Sequence, residues 1–425
     1  MNHTVEEIRL KNGARGLLID VPGATTMSMQ FQFRAGNRYA KSKDIEQVAH
    51  IMEHMAFGTN ARYNTEQFEF EFTKNGAYRN AYTSDLSMVY DADCADFEWD
   101  RIIDLQKIAI CHPKFNETEL IAEKGNVRSE LTNYLNDHQR ILWPRVQQLL
   151  GEDILTYRQS IPTISSVKLS DVREHHRRTH TTSNMRFVIA GKLNGRKAEI
   201  RRKIEGFKLP RGERFTVPKD ELGKSNPSVI RRKDATNLTF GLFMVVNRVL
   251  DDEEFDAMHY LNHILTGTMH SRIFGEARKK GLAYNISAYA DSGFYESGWD
   301  ITGQVNHEAA DELFDIITRE LRNVLDGKIK NEEFEAAKSF ALGRYQMGAQ
   351  TVSQISGFYT GRYFADGFIK DYSKVPDMIK NVTIERMVKT ARSFIAEDKW
   401  VLAAVSSGEK QELVDLNDKI ATLFD

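Results

Sequence analysis

Two histidines and a glutamate fall within five consecutive residues, His50-Ile51-Met52-Glu53-His54. On a helix, residues four apart share one face, a turn apart. His50 and His54 could therefore offer two imidazole nitrogens to one ion. Zinc accepts histidine nitrogen at about 2.0–2.1 Å, and a hydrolytic zinc centre uses three protein ligands with one position left for water. Glu53, three residues after His50, points to the same side. Its carboxylate could take a proton from water acidified by the ion.

The third ligand must come from a distant segment. Glu130 follows His54 by 76 positions and Glu123 by seven. Seven residues are about two helical turns, so both carboxylates face the same way. Glu130 is assigned to the metal, giving one Zn2+ per chain. Glu123 is assigned to the outer shell, orienting a ligand imidazole through its other ring nitrogen. The pentapeptide alone favours the ion over a hydrogen-bonded core histidine pair, the competing reading. The distant glutamates, and a repeat described below, favour the ion.

The elements that must carry these residues can be read from periodicity. GARGLLIDVP and TTMSMQFQFRAG read as strands, the second alternating Met27, Met29, Phe31 and Phe33 with polar neighbours. A helix is expected from about Asp44 to Phe57, with Val48, Ile51, Met52 and Met55 as its apolar stripe. FEFEFTKNG ends at the turn signal Asn75-Gly76, and its Phe68, Phe70 and Phe72 are expected in the core. AYRNAYTS and LSMVYDADC follow as strand-like runs, and a charged helical stretch runs from Asp96 to about Leu150. Trp143 is expected as a core anchor. Met185 to Gly191 reads as a short buried strand.

Residues 207–227 are polar, hold three of the eight prolines and show no hydrophobic period. They are read as a linker between two halves, residues 1–206 and 228–425. The second half repeats the first. AHIMEHMAFGT, beginning at Ala49, aligns without gaps on MHYLNHILTGT, beginning at Met258. His259 and His263 match His50 and His54, and Gly267-Thr268 matches Gly58-Thr59. ELIAEKGNVRSE, beginning at Glu119, aligns on EFEAAKSFALGR, beginning at Glu333. In this second copy Asn262 stands for Glu53, Ala337 for Glu123 and Arg344 for Glu130. Asparagine is no general base, and a guanidinium opposes a cation. The copy keeps a scaffold and lacks the chemistry. The fold class expected is α+β, as two duplicated domains, each with strands first and helices after.

Bulk composition narrows the alternatives. With 425 residues and 41% hydrophobic content, the chain can build two cores. A net charge of −2 argues against a nucleic-acid partner. His175, His176 and His180 lie among arginines and are read as a solvated helix face. Two cysteines, Cys94 and Cys111, without a C-x-x-C, make neither a disulfide framework nor a thiolate zinc site. The start of the chain reads as no signal peptide, and no apolar run reaches membrane-spanning length. A cytoplasmic protein without membrane contact is expected.

His50-x-x-Glu53-His54 with Glu123 and Glu130 resembles the inverted zinc motif of the pitrilysin, insulin-degrading enzyme and mitochondrial processing peptidase family. Leu10-x-Asn12-Gly13, Gly58-Thr59, Asn80-Ala81-Tyr82-Thr83-Ser84 and Asn184-Met185 extend the resemblance over nearly the whole chain. It implies antiparallel-rich sheets packed with helices, the two domains forming half of a clamshell. It implies a zinc endopeptidase acting on peptides or unfolded segments held in a chamber. It further implies that substrate adds as a strand along Asn80, Ala81, Tyr82 and Thr83. Arg278 and Tyr284 resemble a pair that grips the substrate backbone and stabilises the oxyanion. The Arg-to-Tyr spacing is one residue shorter than the family pattern, with Lys279 as the alternative. A homodimer is the simplest assembly. A heterodimer with a sister chain, as in a processing peptidase, and a non-catalytic structural subunit of the same fold are the other readings. A metal-dependent peptide-binding module without turnover is a third.

Overall fold

The computed structural model describes residues 2–425. In the first half, β1 (Thr4–Arg9), β2 (Arg15–Asp20) and β3 (Thr26–Phe33) precede α1 (Val48–Ala56) and α2 (Thr65–Thr73). β4 (Tyr78–Thr83) and β5 (Met88–Ala95) form a hairpin. Five helices follow: α3 (Trp99–Cys111), α4 (Glu117–Tyr134), α5 (His138–Leu150), α6 (Tyr157–Ser166) and α7 (Leu169–Thr179). β6 (Arg186–Gly191) and α8 (Lys197–Glu205) close the half.

The second half runs β7 (Ser228–Arg231), β8 (Leu238–Val246), α9 (Asp252–Thr266), α10 (Phe274–Lys279), β9 (Ala283–Ser292) and β10 (Ser297–Val305). α11 (His307–Leu325), α12 (Asn331–Met347), α13 (Val352–Ala365), α14 (Val375–Asn381) and α15 (Ile384–Ala396) come next. β11 (Trp400–Ser406) and α16 (Lys410–Ala421) end the chain. No helix among the described residues is long and apolar enough to cross a membrane.

The duplication is visible in strand order. The first sheet reads β1-β2-β6-β3-β5-β4 and the second β7-β11-β8-β10-β9. β2 runs parallel to β6, and β7 parallel to β11, while every other pairing is antiparallel. Removing β1 superimposes one order on the other, with β4 and β9 both outermost. The chain is therefore a two-domain α+β protein of antiparallel-rich sheets packed by helices.

The division between the units is more than one cut in the polar stretch. Unit one comprises the chain through Asn133, Tyr157–Pro218 and Met347–Lys370. Unit two comprises Tyr134–Thr156, Lys219–Gln346 and Asp371–Asp425. The equivalent helices α5 and α13 are exchanged: α5 packs on β8 and β11, and α13 on β3 and β6. In unit one, Arg214 bridges the Gln32 side chain (3.2 Å) and the Phe364 carbonyl (2.9 Å), while Arg34 reaches the Ala365 carbonyl (3.0 Å). Gln32 and Ser28 are buried although the alternation predicts an open polar face, because α13 covers it. In unit two, the Trp143 ring lies 5.1 Å from Phe243. Trp143 is still 43% exposed, so it rests on the core as a cover and is no core anchor. Residues 207–227 form no helix or strand, but Phe207, Val217 and Leu222 are buried, so the segment packs along its length.

Two further expectations need correction. FEFEF is helical: Asn64 accepts from the Gln67 amide, and the Gln67 side chain returns to the Asn64 amide, closing a capping box. The i, i+4 pair Phe68 and Phe72 is buried, while Phe70 points away and is 62% exposed. His175, His176 and His180 are not a solvated face. His175 Nε2 meets the Ala35 carbonyl at 2.9 Å, and His176 Nε2 the Ile110 carbonyl at 2.9 Å. His180 Nε2 meets the Tyr90 hydroxyl at 2.8 Å, and its ring stacks on Phe33. Burial drives all three toward the neutral form, pushing His175 and His176 down to about 4.

Two predictions follow from this packing. Residues 1–206 expressed alone lack α13 and expose the Gln32 face of their sheet. They should be insoluble or non-cooperative on melting, and soluble when co-expressed with residues 207–425. A cooperative melt of the isolated fragment would contradict the exchange as a folding requirement. The buried histidines predict acid lability. In the unfolded chain they take up protons near their ordinary value of about 6.5, but the folded state resists until about 4. The contribution of His175 and His176 is thus complete above about pH 6.5 and is lost toward pH 4, by on the order of 1–3 kcal/mol each. Melting temperature measured across that range should drop less steeply in His176→Gln than in the unaltered chain.

Candidate metal centre

Gln47 precedes α1 as its N-cap, and Val48, Ala49, Ile51, Met52, Met55 and Ala56 anchor the helix in the core. That leaves His50, Glu53 and His54 on its half-buried side. α4 is held by Leu120, Val127 and Leu131, and its Glu119, Glu123 and Glu130 face α1. Glu119 ties the two helices where α1 ends. Its Oε1 accepts from the Thr59 amide (3.0 Å) and the Thr65 hydroxyl (2.9 Å). A Cβ at Gly58 would sit 2.7 Å from Glu119 Oε2, so a side chain there presses on the clamp.

The two helices bring His50, His54 and Glu130 together. Glu130 Oε2 lies 3.5 Å from His50 Nε2 and 3.4 Å from His54 Nε2, and the imidazoles stand 74° apart at 4.9 Å. One ligand atom from each residue falls within 4.8 Å of the others. Tetrahedral ligands about 2.0–2.1 Å from a zinc ion lie roughly 3.3–3.4 Å from one another, so these separations fit that ion. The donor set of two imidazoles and one carboxylate, partly open to solvent, also fits a zinc site with a free position.

The outer contacts orient both rings. His54 Nδ1 meets Glu123 Oε2 at 3.0 Å, and Asn126 donates to that same oxygen at 2.9 Å. His50 Nδ1 meets Gln47 Oε1 at 3.0 Å. Each ring thereby directs Nε2 toward Glu130. Burial disfavours a charged His54, but the Glu123 hydrogen bond and the charges of Glu53, Glu123 and Glu130 outweigh it and raise its basicity. The Glu123 carboxyl is lowered, chiefly by the same bond. The cluster is thus built to hold positive charge.

Burial raises the Glu53 carboxyl, with His50 and His54 opposing and Glu130 adding to the rise. The Thr83 hydroxyl also faces this carboxylate. Thr83 belongs to β4, the outer strand of its sheet. Ala81 and Thr83 are half-buried, whereas Asn80 and Tyr82 are exposed. Arg278 and Tyr284 lie in unit two, at the end of α10 and the start of β9. The Arg278 guanidinium stands 4.5 Å above the Tyr284 ring, and Tyr284 is 79% exposed.

The repeated motif in unit two has been reused for packing. Asn262 Oδ1 accepts from Trp299 Nε1 at 2.9 Å. His259 Nδ1 turns to the Phe255 carbonyl, and Phe340 stacks on His263 at 4.0 Å. Glu333, the counterpart of Glu119, pairs with Arg272. Among the described residues, His50, His54 and Glu130 are the one group of His, Cys, Asp or Glu side chains placed so that they could hold a metal ion. Sequence reading missed Gln47, Glu119 and Asn126. Glu119 stands four before Glu123, and Gln47 three before His50, so helical spacing held the signal for both.

Known proteins agree with this architecture. Residues 16–152 match the model for Insulinase (Peptidase family M16), and residues 166–340 that for the Peptidase M16 inactive domain. The chain belongs to peptidase family M16. An uncharacterised zinc protease of Bacillus subtilis is 23% identical, over 95% of this chain and 98% of that protein. The mitochondrial-processing peptidase subunit beta of Neurospora crassa is 26% identical, over 94% of this chain and 87% of its own. A crystal structure of a protease from Helicobacter pylori has the same fold, with a TM-score of 0.82 at 16% identity, covering 96% of this chain and 100% of that one.

The Glu119 clamp yields a prediction. Gly58→Ala should push the Glu119 carboxylate off the Thr59 amide and destabilise the protein by about 1–2 kcal/mol, read as a lower melting temperature. An unchanged melting temperature would mean that the clamp carries no load.

Proposed function

We propose that this chain is a zinc-dependent endopeptidase of family M16, with His50, His54 and Glu130 as the metal ligands. The observation that carries the reading is the convergence of two Nε2 atoms and one carboxylate oxygen at zinc-ligand spacing. When bound, the ion would supply Lewis acidity, polarising the scissile carbonyl and acidifying water. Glu53 is the general base: it sits on the ligand face of α1, and its raised carboxyl suits a group that accepts a proton and returns it to the leaving amine. Glu123 and Gln47 hold the imidazoles.

Substrate pairs with the outer edge of β4, along Asn80, Ala81, Tyr82 and Thr83, where main-chain bonding tolerates many sequences. Tyr284 and Arg278 act as donors to the developing oxyanion, as the family resemblance implies. The substrate class is a peptide or unfolded segment enclosed in a chamber. The chain works as a homodimer, or with a sister chain, since several relatives are named as a beta subunit. Both cysteines are free, which suits a reducing compartment such as the cytoplasm.

A second reading is a non-catalytic subunit of this fold. It is favoured by the inactive-domain match over residues 166–340. That match covers the degenerate motif, whereas His50, Glu53, His54 and Glu130 are all intact in the first half, which supports activity.

The test is cleavage of short unstructured peptides with and without chelator. Chelation should abolish cleavage and zinc should restore it. Glu53→Gln should keep zinc and lose at least about a hundredfold in kcat, while a stably folded protein should resist cleavage. Wild-type turnover by Glu53→Gln would remove the general-base assignment. Peptide binding without cleavage would favour the non-catalytic reading.

A further inference from the structure

We propose that Glu46 and Gln47 form a relay that selects which nitrogen of His50 is offered to the metal. The proposal rests on the zinc reading above and adds two residues to it. Gln47 is 97% buried, as its 3% exposure states, so its amide has little access to water and must find protein partners. Its Nε2 donates to Glu46 Oε2 at 2.7 Å, and its Oε1 faces His50 Nδ1 at 3.0 Å.

The order of these bonds follows from an ionised Glu46: burial raises its carboxyl, while the Gln47 and Ser160 hydrogen bonds hold it toward the carboxylate. A carboxylate only accepts, so the end of the amide facing it is NH2. The carbonyl end is then committed to His50, and a carbonyl also only accepts. His50 Nδ1 must carry the proton, which leaves Nε2 with its lone pair, 3.5 Å from Glu130. Glu46 is itself held in place, bonded by the Ser160 hydroxyl, and Ser160 is buried on α6, which packs against the turn before α1. An isolated Gln47 could rotate its amide by half a turn at little cost. The NH2 would then face Nδ1 and favour the other tautomer, whose protonated Nε2 cannot bind a metal. Glu46 removes that alternative.

Gln47 and Glu46 are thus positioning residues, and they touch neither substrate nor ion. His54 receives the equivalent instruction from the Glu123 carboxylate directly. The two ligands are oriented by different devices, one a carboxylate and the other an amide whose direction a carboxylate sets.

The experiment uses the full chain labelled with 15N-histidine, unaltered and as Gln47→Leu, Glu46→Gln and Gln47→Glu. Two quantities are read: the His50 tautomer in the zinc-free chain by long-range 1H–15N correlation, and zinc affinity by competition with a chromogenic chelator. The unaltered chain should show His50 protonated on Nδ1. Gln47→Leu should lose that preference and bind zinc about 10–100-fold more weakly. Glu46→Gln should shift the tautomer in the same direction. Gln47→Glu, an acceptor of the same length, should restore the Nδ1–H form and the affinity. Melting temperatures of the zinc-free chains separate these effects from misfolding. If Gln47→Leu folds, keeps the Nδ1–H tautomer and binds zinc as the unaltered chain does, the relay is wrong while the zinc reading stands. If the unaltered chain binds no zinc, or His54→Ala binds it equally well, the zinc reading itself fails and takes the relay's purpose with it.

Discussion

The seating of α4 on α1 is the interaction on which the site depends. Neither helix can form the centre alone, because α1 holds two imidazoles and α4 the carboxylates. Glu119, Glu123 and Glu130 lie at helical spacing on α4 and meet α1 at three heights: the Gly58-Thr59 end, His54, and the His50–His54 gap. Glu119 ties the helices through its carboxylate, which accepts from the Thr59 backbone amide and the Thr65 hydroxyl. Glu123 then fixes one ring, and Glu130 arrives within zinc-ligand spacing of both. Setting Glu53 beside Glu130 in this half-buried site costs desolvation and repulsion, visible in the raised Glu53 carboxyl. A bound cation offsets that cost, so charge and geometry point to the same occupant.

Duplication explains how such a site could sit within a stable frame. Unit two keeps the strand order and the helix pair, yet its acids and bases have been turned to packing. Asn262 satisfies a buried indole, and Phe340 covers an imidazole. A motif stripped of its carboxylates need not hold a cation, so Asn262 is free to join the core. The exchange of α5 and α13 makes each sheet depend on a helix from the other half of the chain, although the polar stretch at 207–227 suggests a simple hinge.

Much of the centre was legible in the sequence because helical spacing converts directly into geometry. His50, Glu53 and His54 needed only the period of one helix, and Glu123 and Glu130 that of another. The repeat revealed the duplicated fold through His259, His263 and Gly267-Thr268. What stayed hidden depended on contacts between distant segments. Nothing local in residues 352–365 says which sheet they cover. The alternating Phe and Glu of FEFEF obscured a helix, although Asn64 and Gln67 carried its capping signal. The arginines around His175 and His176 masked the burial of Val172, His175 and Thr179, which share a helix face. The spacing of Gln47 from His50 places it near the ring, but a glutamine suggests no chemistry until its two partners are known.

The central claim is that His50, His54 and Glu130 close on one zinc ion. It is tested most directly by a crystal structure of the chain grown with zinc, with diffraction collected on both sides of the zinc absorption edge. The account predicts one strong anomalous peak in unit one of each chain, about 2.0–2.1 Å from both Nε2 atoms and from a Glu130 carboxylate oxygen. A peak at other residues, or none there while Glu130 turns away from both imidazoles, would contradict it.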